Sequence, residues 1–186
     1  MKNAFLVHST GGSPFETFYP WLTRELKKLG YAVTAPQFPT PEGQTLDNWM
    51  RVAKPHLKNF NGETIILGRS IGGPFVLRLL EQTPTPINAA FIIAGFCSGP
   101  ILPQFQPVVH TFIEKPFDWK KIRNNAKNFF VYHSDNDPYL KEEKGREVAR
   151  NLGVEVTLVP GAEHFGLMAG FTEFPLLLDD VKSVSL

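Results

Sequence analysis

Six short apolar runs alternate with amphipathic segments along this 186-residue chain, and no other feature limits its fold as tightly. The runs cover 4–7, 32–35, 64–67, 89–93, 129–132 and 154–159. They are continuously apolar rather than alternating, as strands must be when helices cover both faces of a parallel sheet. Between them lie helical stripes. Phe18, Trp21, Leu22, Leu26 and Leu29 form one that stops at Gly30, and Leu46, Trp49, Met50, Ala53 and Leu57 form another, which Pro55 should kink or shorten. Ile71, Phe75, Val76, Leu79 and Leu80 continue the pattern, as do Val148 with Leu152, and Phe174 with Leu178 and Val181. The expectation is a single α/β domain over 1–186, six parallel strands with helices on both faces. One segment, 96–125, breaks the rhythm. It is rich in Pro, Phe and Gly and reads as a long irregular loop that could roof a pocket with Phe96, Phe105, Phe112 or Phe117, or else pack its aromatics on the surface.

Composition narrows the function classes. Net charge is +1, with positive and negative residues interleaved, so no basic face for nucleic acid stands out. The apolar run at 4–7 is too short for a signal-peptide core, and no stretch approaches a membrane span. A single cysteine, Cys97, excludes internal disulfides and points to a reducing, cytoplasmic setting. Cys97 follows a buried strand and reads as a small core residue rather than a nucleophile.

The third apolar run ends in Gly68-Arg69-Ser70-Ile71-Gly72, a GxSxG pattern followed at once by a helical stripe. By itself the pattern is weak: about one chain of this length in twenty would carry it by chance, and a glycine-rich helix entry with an N-capping serine would look the same. A strand before it and a helix after it are the context of a nucleophile elbow. A sharp turn there exposes the serine hydroxyl and aims amides at a developing oxyanion, and it needs small residues on either side of Ser70.

A serine nucleophile needs a histidine, and that histidine needs a carboxylate. Both should come from loops at the carboxyl ends of strands. The fifth run leads into His133-Ser134-Asp135-Asn136-Asp137-Pro138, and the sixth into Gly161-Ala162-Glu163-His164-Phe165. Among the histidines, His56 lies in a helical segment, His110 in the irregular stretch, His133 where the acid belongs, and His8 at the end of the first strand. His164 is the expected base. For the acid, Asp135 and Asp137 compete. Asp137 is preferred because it opens the turn toward the next helix, whereas Asp135 suits local backbone hydrogen bonds. The order Ser70, Asp137, His164 is that of an α/β-hydrolase. Oxyanion donors would be the backbone N–H of Ile71 and, from the loop after the first strand, that of Thr10. This glycine-bearing loop lacks both GxGxxG and GxxxxGK, and no His, Cys or carboxylate cluster has ligand spacing, so no cofactor and no metal are expected.

With these motifs in place, the chain resembles the small serine hydrolase family of the α/β-hydrolase superfamily. The likeness rests on LVHSTGG after the first strand, YPWL, TLDNWM, IILGRSIGG, FDWKKI, SDNDPYL and GAEHF, spread over nearly the whole length. It implies strand order 2-1-3-4-5-6, no large cap domain, and Ser70, Asp137 and His164 as nucleophile, acid and base. Two positions depart from the family pattern: Arg69 stands where histidine is common, and Ser9 where glycine is usual. The expected activity is hydrolysis of small ester or acyl substrates through an acyl-enzyme, in the manner of carboxylesterases. The alternatives are an aminopeptidase-like amide hydrolase, or a protein-interaction module that keeps the fold. The expected partner is a small-molecule acyl substrate; nucleic acid and membrane are not expected, and no protein partner can be named.

Overall fold

The computed structural model describes residues 1–185. Six strands form one parallel sheet: β1 (Asn3–Val7), β2 (Ala32–Thr34), β3 (Thr64–Arg69), β4 (Ile87–Ile93), β5 (Ala126–His133) and β6 (Val156–Leu158). Their order is β2-β1-β3-β4-β5-β6, as the family resemblance implies. The apolar runs of β1, β3, β4 and β5 read both ways across the sheet, while the edge strands β2 and β6 are only partly buried. Phe5, Val7, Ile66, Ala90, Ile92 and Val131 join one buried cluster, while Ala4, Leu6, Ile65, Leu67, Phe91, Ile93 and Tyr132 join the other. Side chains alternate faces along a strand, so a run apolar at every position buries both faces.

Helices α1 (Tyr19–Lys28) and α7 (Pro175–Ser183) cover the second of these faces. Helices α2 (Leu46–Ala53), α3 (Gly72–Leu80), α4 (Gln106–Ile113), α5 (Trp119–Asn124) and α6 (Glu142–Leu152) cover the first. Gly30 takes φ +85° just past α1, the left-handed position at which a helix commonly stops. Pro55 ends α2 as expected: the chain tightens into a 3₁₀ helix over Lys54–Asn59.

Segment 96–125 is not the irregular loop its composition suggests. It holds a 3₁₀ turn at Pro103–Phe105 and both α4 and α5. Pro103 and Pro107, which look like breakers, stand in first turns, where a missing N–H costs nothing. This segment covers the outer side of α3, whose nine residues are all buried. Arg78, buried in the last turn of α3, holds the cover in place. It donates to the carbonyls of Phe112, Lys115 and Pro116, pairs with Glu81, and lies 3.8 Å from the Phe117 ring centroid. Phe112 and Phe117 are therefore structural.

Beneath the β1 loop sits an aromatic cluster. Trp49 stacks on Phe38 at 4.6 Å and meets Phe75 and Phe112 edge-on at 5.2 and 5.1 Å. Its indole N–H donates to the Pro39 carbonyl. Trp49→Ala should cost about 3–5 kcal/mol in a urea titration; a loss below about 1 kcal/mol would mean that the cluster is not a stability centre.

Candidate active site

At the carboxyl edge of the sheet the chain turns directly from β3 into α3, and Ser70 takes the left-handed conformation, φ +57°. A serine pays a steric penalty there, so the surroundings must over-determine it. They do. Ser70 N–H donates to the Ile93 carbonyl and Gly73 N–H to that of Ser70. A Cβ on Gly68 would lie 2.2 Å from the Gly72 carbonyl oxygen, and one on Gly72 would lie 2.8 Å from that of Val7. The strand and helix approach so closely that only hydrogen fits at either position.

Asp137 and His164 meet across two loops. The Asp137 side chain is fully buried and accepts the His164 Nδ1 hydrogen bond at 2.7 Å through Oδ2, while its Oδ1 accepts from the amides of Tyr139 and Leu140. Burial alone would raise its pKa, but the hydrogen bond and charge of His164 and the two amides outweigh it, and the carboxyl sits below its ordinary value. An ionised carboxylate only accepts. The Nδ1 of His164 therefore carries the hydrogen, leaving Nε2 as the basic nitrogen.

Asp135 and Asn136 fasten the loop that carries His164. Asp135 Oδ1 accepts from Gly161 N–H and Asn136 Oδ1 from Glu163 N–H, so Asp135 bonds to a distant loop where local backbone hydrogen bonds are expected of it. The base loop is itself strained: Glu163 and Phe165, the neighbours of His164, have φ +45° and +53°. Tyr139 sets its ring edge-on to the His164 imidazole at 5.1 Å.

Ser70 and His164 line one cavity of about 340 Å³. No hydrogen bond joins Ser70 Oγ to His164 among the described residues. Phe96, Ile101, Phe105 and Val109 from segment 96–125 supply much of its apolar lining, with Pro138 and Leu140. Thr10 lines it as well, with its Oγ1 braced by Gln44 Nε2 at 2.9 Å. The N–H groups of Ile71 and Thr10 donate to no other group among the described residues. Cys97 lies outside the cavity lining, and burial first, then Glu147, pushes its thiol up to about 12, far from a thiolate nucleophile.

The remaining histidines are held elsewhere. His133 is buried against the Leu140 carbonyl, His56 packs on Phe5, and His110 lies in α4 beside the Pro107 carbonyl. His8 accepts the Phe38 N–H at Nε2 and donates from Nδ1 to the Ser9 carbonyl, an arrangement only the neutral ring can make. Arg69, the residue before Ser70, is buried and ties the end of β3 to two loops, which nothing in the sequence indicates.

A family model described as serine hydrolase matches residues 4–183. Serine hydrolase RBBP9 of Rattus norvegicus is 26% identical over 184 residues, covering 97% of this chain and 94% of that protein. YdeN of Bacillus subtilis is 25% identical over 184 residues, covering 98% of this chain and 95% of that protein. The crystal structure of the B. subtilis ydeN product superposes with a TM-score of 0.92, covering 99% and 98% of the two chains at 24% identity. Est1E of Butyrivibrio proteoclasticus, solved with ferulic acid bound, has the same fold at a TM-score of 0.73 and 14% identity, covering 98% of this chain and 87% of its own.

Two measurements follow from this geometry. Gly68→Ala must displace backbone and should cost about 3 kcal/mol or more, whereas Gly161→Ala, at φ +71° with open space around it, should cost about 1–2 kcal/mol. Equal losses in urea titrations would contradict the close approach at the elbow. Burial holds the His8 pKa below 6.5, so the unfolded chain takes up this proton first as pH falls. His8 should therefore withdraw stability as pH drops from about 6.5 through its folded value, and Asp137 should do so only below its ordinary 3.8. Comparing Tm over pH 5 to 7.5 in wild type and His8→Gln checks this; identical slopes would remove His8 as the cause.

Proposed function

The chain belongs to the serine hydrolase family, and we propose that it cleaves esters of apolar acyl groups through Ser70, His164 and Asp137. The 2.7 Å His164–Asp137 hydrogen bond, in a cavity shared with a left-handed Ser70, carries this reading. In the first half-reaction His164 Nε2 takes the Ser70 proton while Oγ bonds to the ester carbonyl carbon. The resulting oxyanion lies against the amides of Ile71 and Thr10, where the N-terminus of α3 also favours negative charge. Collapse breaks the bond to the alcohol, which leaves with the proton held by His164. Water then repeats the sequence on the acyl-serine, releasing the carboxylic acid and restoring Ser70. Asp137 stays ionised throughout, fixing the tautomer and stabilising the imidazolium.

The cavity wall argues for the substrate class. Phe96, Ile101, Phe105 and Val109 offer an acyl chain apolar contact and little hydrogen bonding, so binding should grow with chain length until the cavity is full. A small hydrophobic acyl ester fits this wall better than a charged one.

Hydrolysis of p-nitrophenyl esters tests the assignment. Ser70→Ala or His164→Ala should lower kcat by about 10⁴- to 10⁶-fold, and Asp137→Asn by about 10³- to 10⁴-fold. Asp135→Asn, which can still accept from Gly161, should cost less than about tenfold. A larger loss from Asp135→Asn than from Asp137→Asn would overturn the choice of acid. Phe105→Ala should weaken kcat/KM for butyrate more than for acetate, and equal losses would contradict the acyl-binding wall.

A further inference from the structure

Arg69 is a buried cation, 6% exposed, that pairs with no carboxylate within 4.0 Å among the described residues. Its Nε has no hydrogen-bond partner either. Burying an unpaired guanidinium is costly, and nothing in the packing of the sheet requires it. Its other two nitrogens reach into neighbouring loops. Nη1 donates to the carbonyls of His164 (3.0 Å) and Phe165 (3.2 Å), and Nη2 donates to Ser9 Oγ at 2.6 Å.

These three acceptors lie in the two loops that must be placed against Ser70. One contact is the carbonyl of the base itself, between two residues held at positive φ. Another is the side chain of the residue before Thr10. Resting on the roles proposed above for Ser70, His164 and Thr10, we infer that Arg69 is a positioning residue. Its guanidinium, fixed in line with the nucleophile by β3, sets the base loop and the oxyanion loop to one common reference. Planar guanidinium geometry suits this work, because a single rigid group spans both loops. Ser9 completes the device by supplying the acceptor. The two departures from the family pattern, arginine beside the nucleophile and serine after the first-strand histidine, are thereby one interaction: the arginine needs an acceptor that glycine cannot give.

A positioning role predicts loss of turnover with little change in binding, and loss that shrinks when one of the positioned groups is gone. With p-nitrophenyl acetate, Arg69→Met should lower kcat about 10- to 100-fold while KM moves less than about threefold, and Arg69→Lys should recover part of the loss. In a His164→Ala background, where only the oxyanion loop is still positioned, Arg69→Met should lower the residual rate about three- to tenfold, less than the loss in wild type. Ser9→Ala, which removes one acceptor and hardly any volume, should lower kcat about three- to tenfold whether or not Arg69→Met folds. Unchanged kcat in Ser9→Ala, or in a folded Arg69→Met, would overturn the inference, as would an equal Arg69→Met loss with and without His164. A His164→Ala variant as active as wild type would instead strike the triad reading itself.

Discussion

The close approach of α3 to β3 and β1 is the constraint on which the rest of the edge depends. No side chain fits at Gly68 or Gly72, and the chain can reverse from strand to helix only by placing Ser70 at φ +57°. That conformation costs energy and is held by hydrogen bonds from Ser70 N–H and to Ser70 O, not by the serine's own preference. The same turn leaves the Ile71 amide without a partner at the start of α3. The exposed position proposed for the Ser70 hydroxyl and an unused donor thus come from one backbone event.

The other half of the site is built from loops that β5 and β6 deliver to the same edge, and loops need fastening. Asp135 and Asn136 hold the base loop from the acid side, Arg69 holds it from the elbow, and Gln44 braces Thr10. Buried polar groups are stabilising only when satisfied, and here most of them find backbone partners in another loop. The arrangement makes the geometry of His164 a property of the network more than of its own loop, where both neighbours sit in unfavourable backbone conformations.

The sheet was legible because burial on both faces writes itself as unbroken apolar runs, and the stripes of α1, α2 and α7 were legible by their period. Ser70, Asp137 and His164 could be named from chain order and loop position, and the structure joins two of them directly. Segment 96–125 misled because prolines signal irregularity unless their place in a first turn is known, and that place depends on where the helix begins. Arg78 and Arg69 were invisible as organisers. Their partners are mostly main-chain carbonyls, which every residue carries, so the sequence holds no complementary signal at 112, 115 or 164. Asp135 escaped for a similar reason, since its partner is an amide 26 residues away.

The central claim is that Ser70 attacks. A fluorophosphonate forms a covalent adduct with an activated serine and needs no knowledge of the natural substrate, so it isolates this claim from questions of specificity. Labelling followed by peptide mapping should place one adduct on the peptide that carries Ser70, and folded Ser70→Ala should take up none. A folded wild type that resists the probe, or a mutant that labels as fast as wild type, would contradict the account.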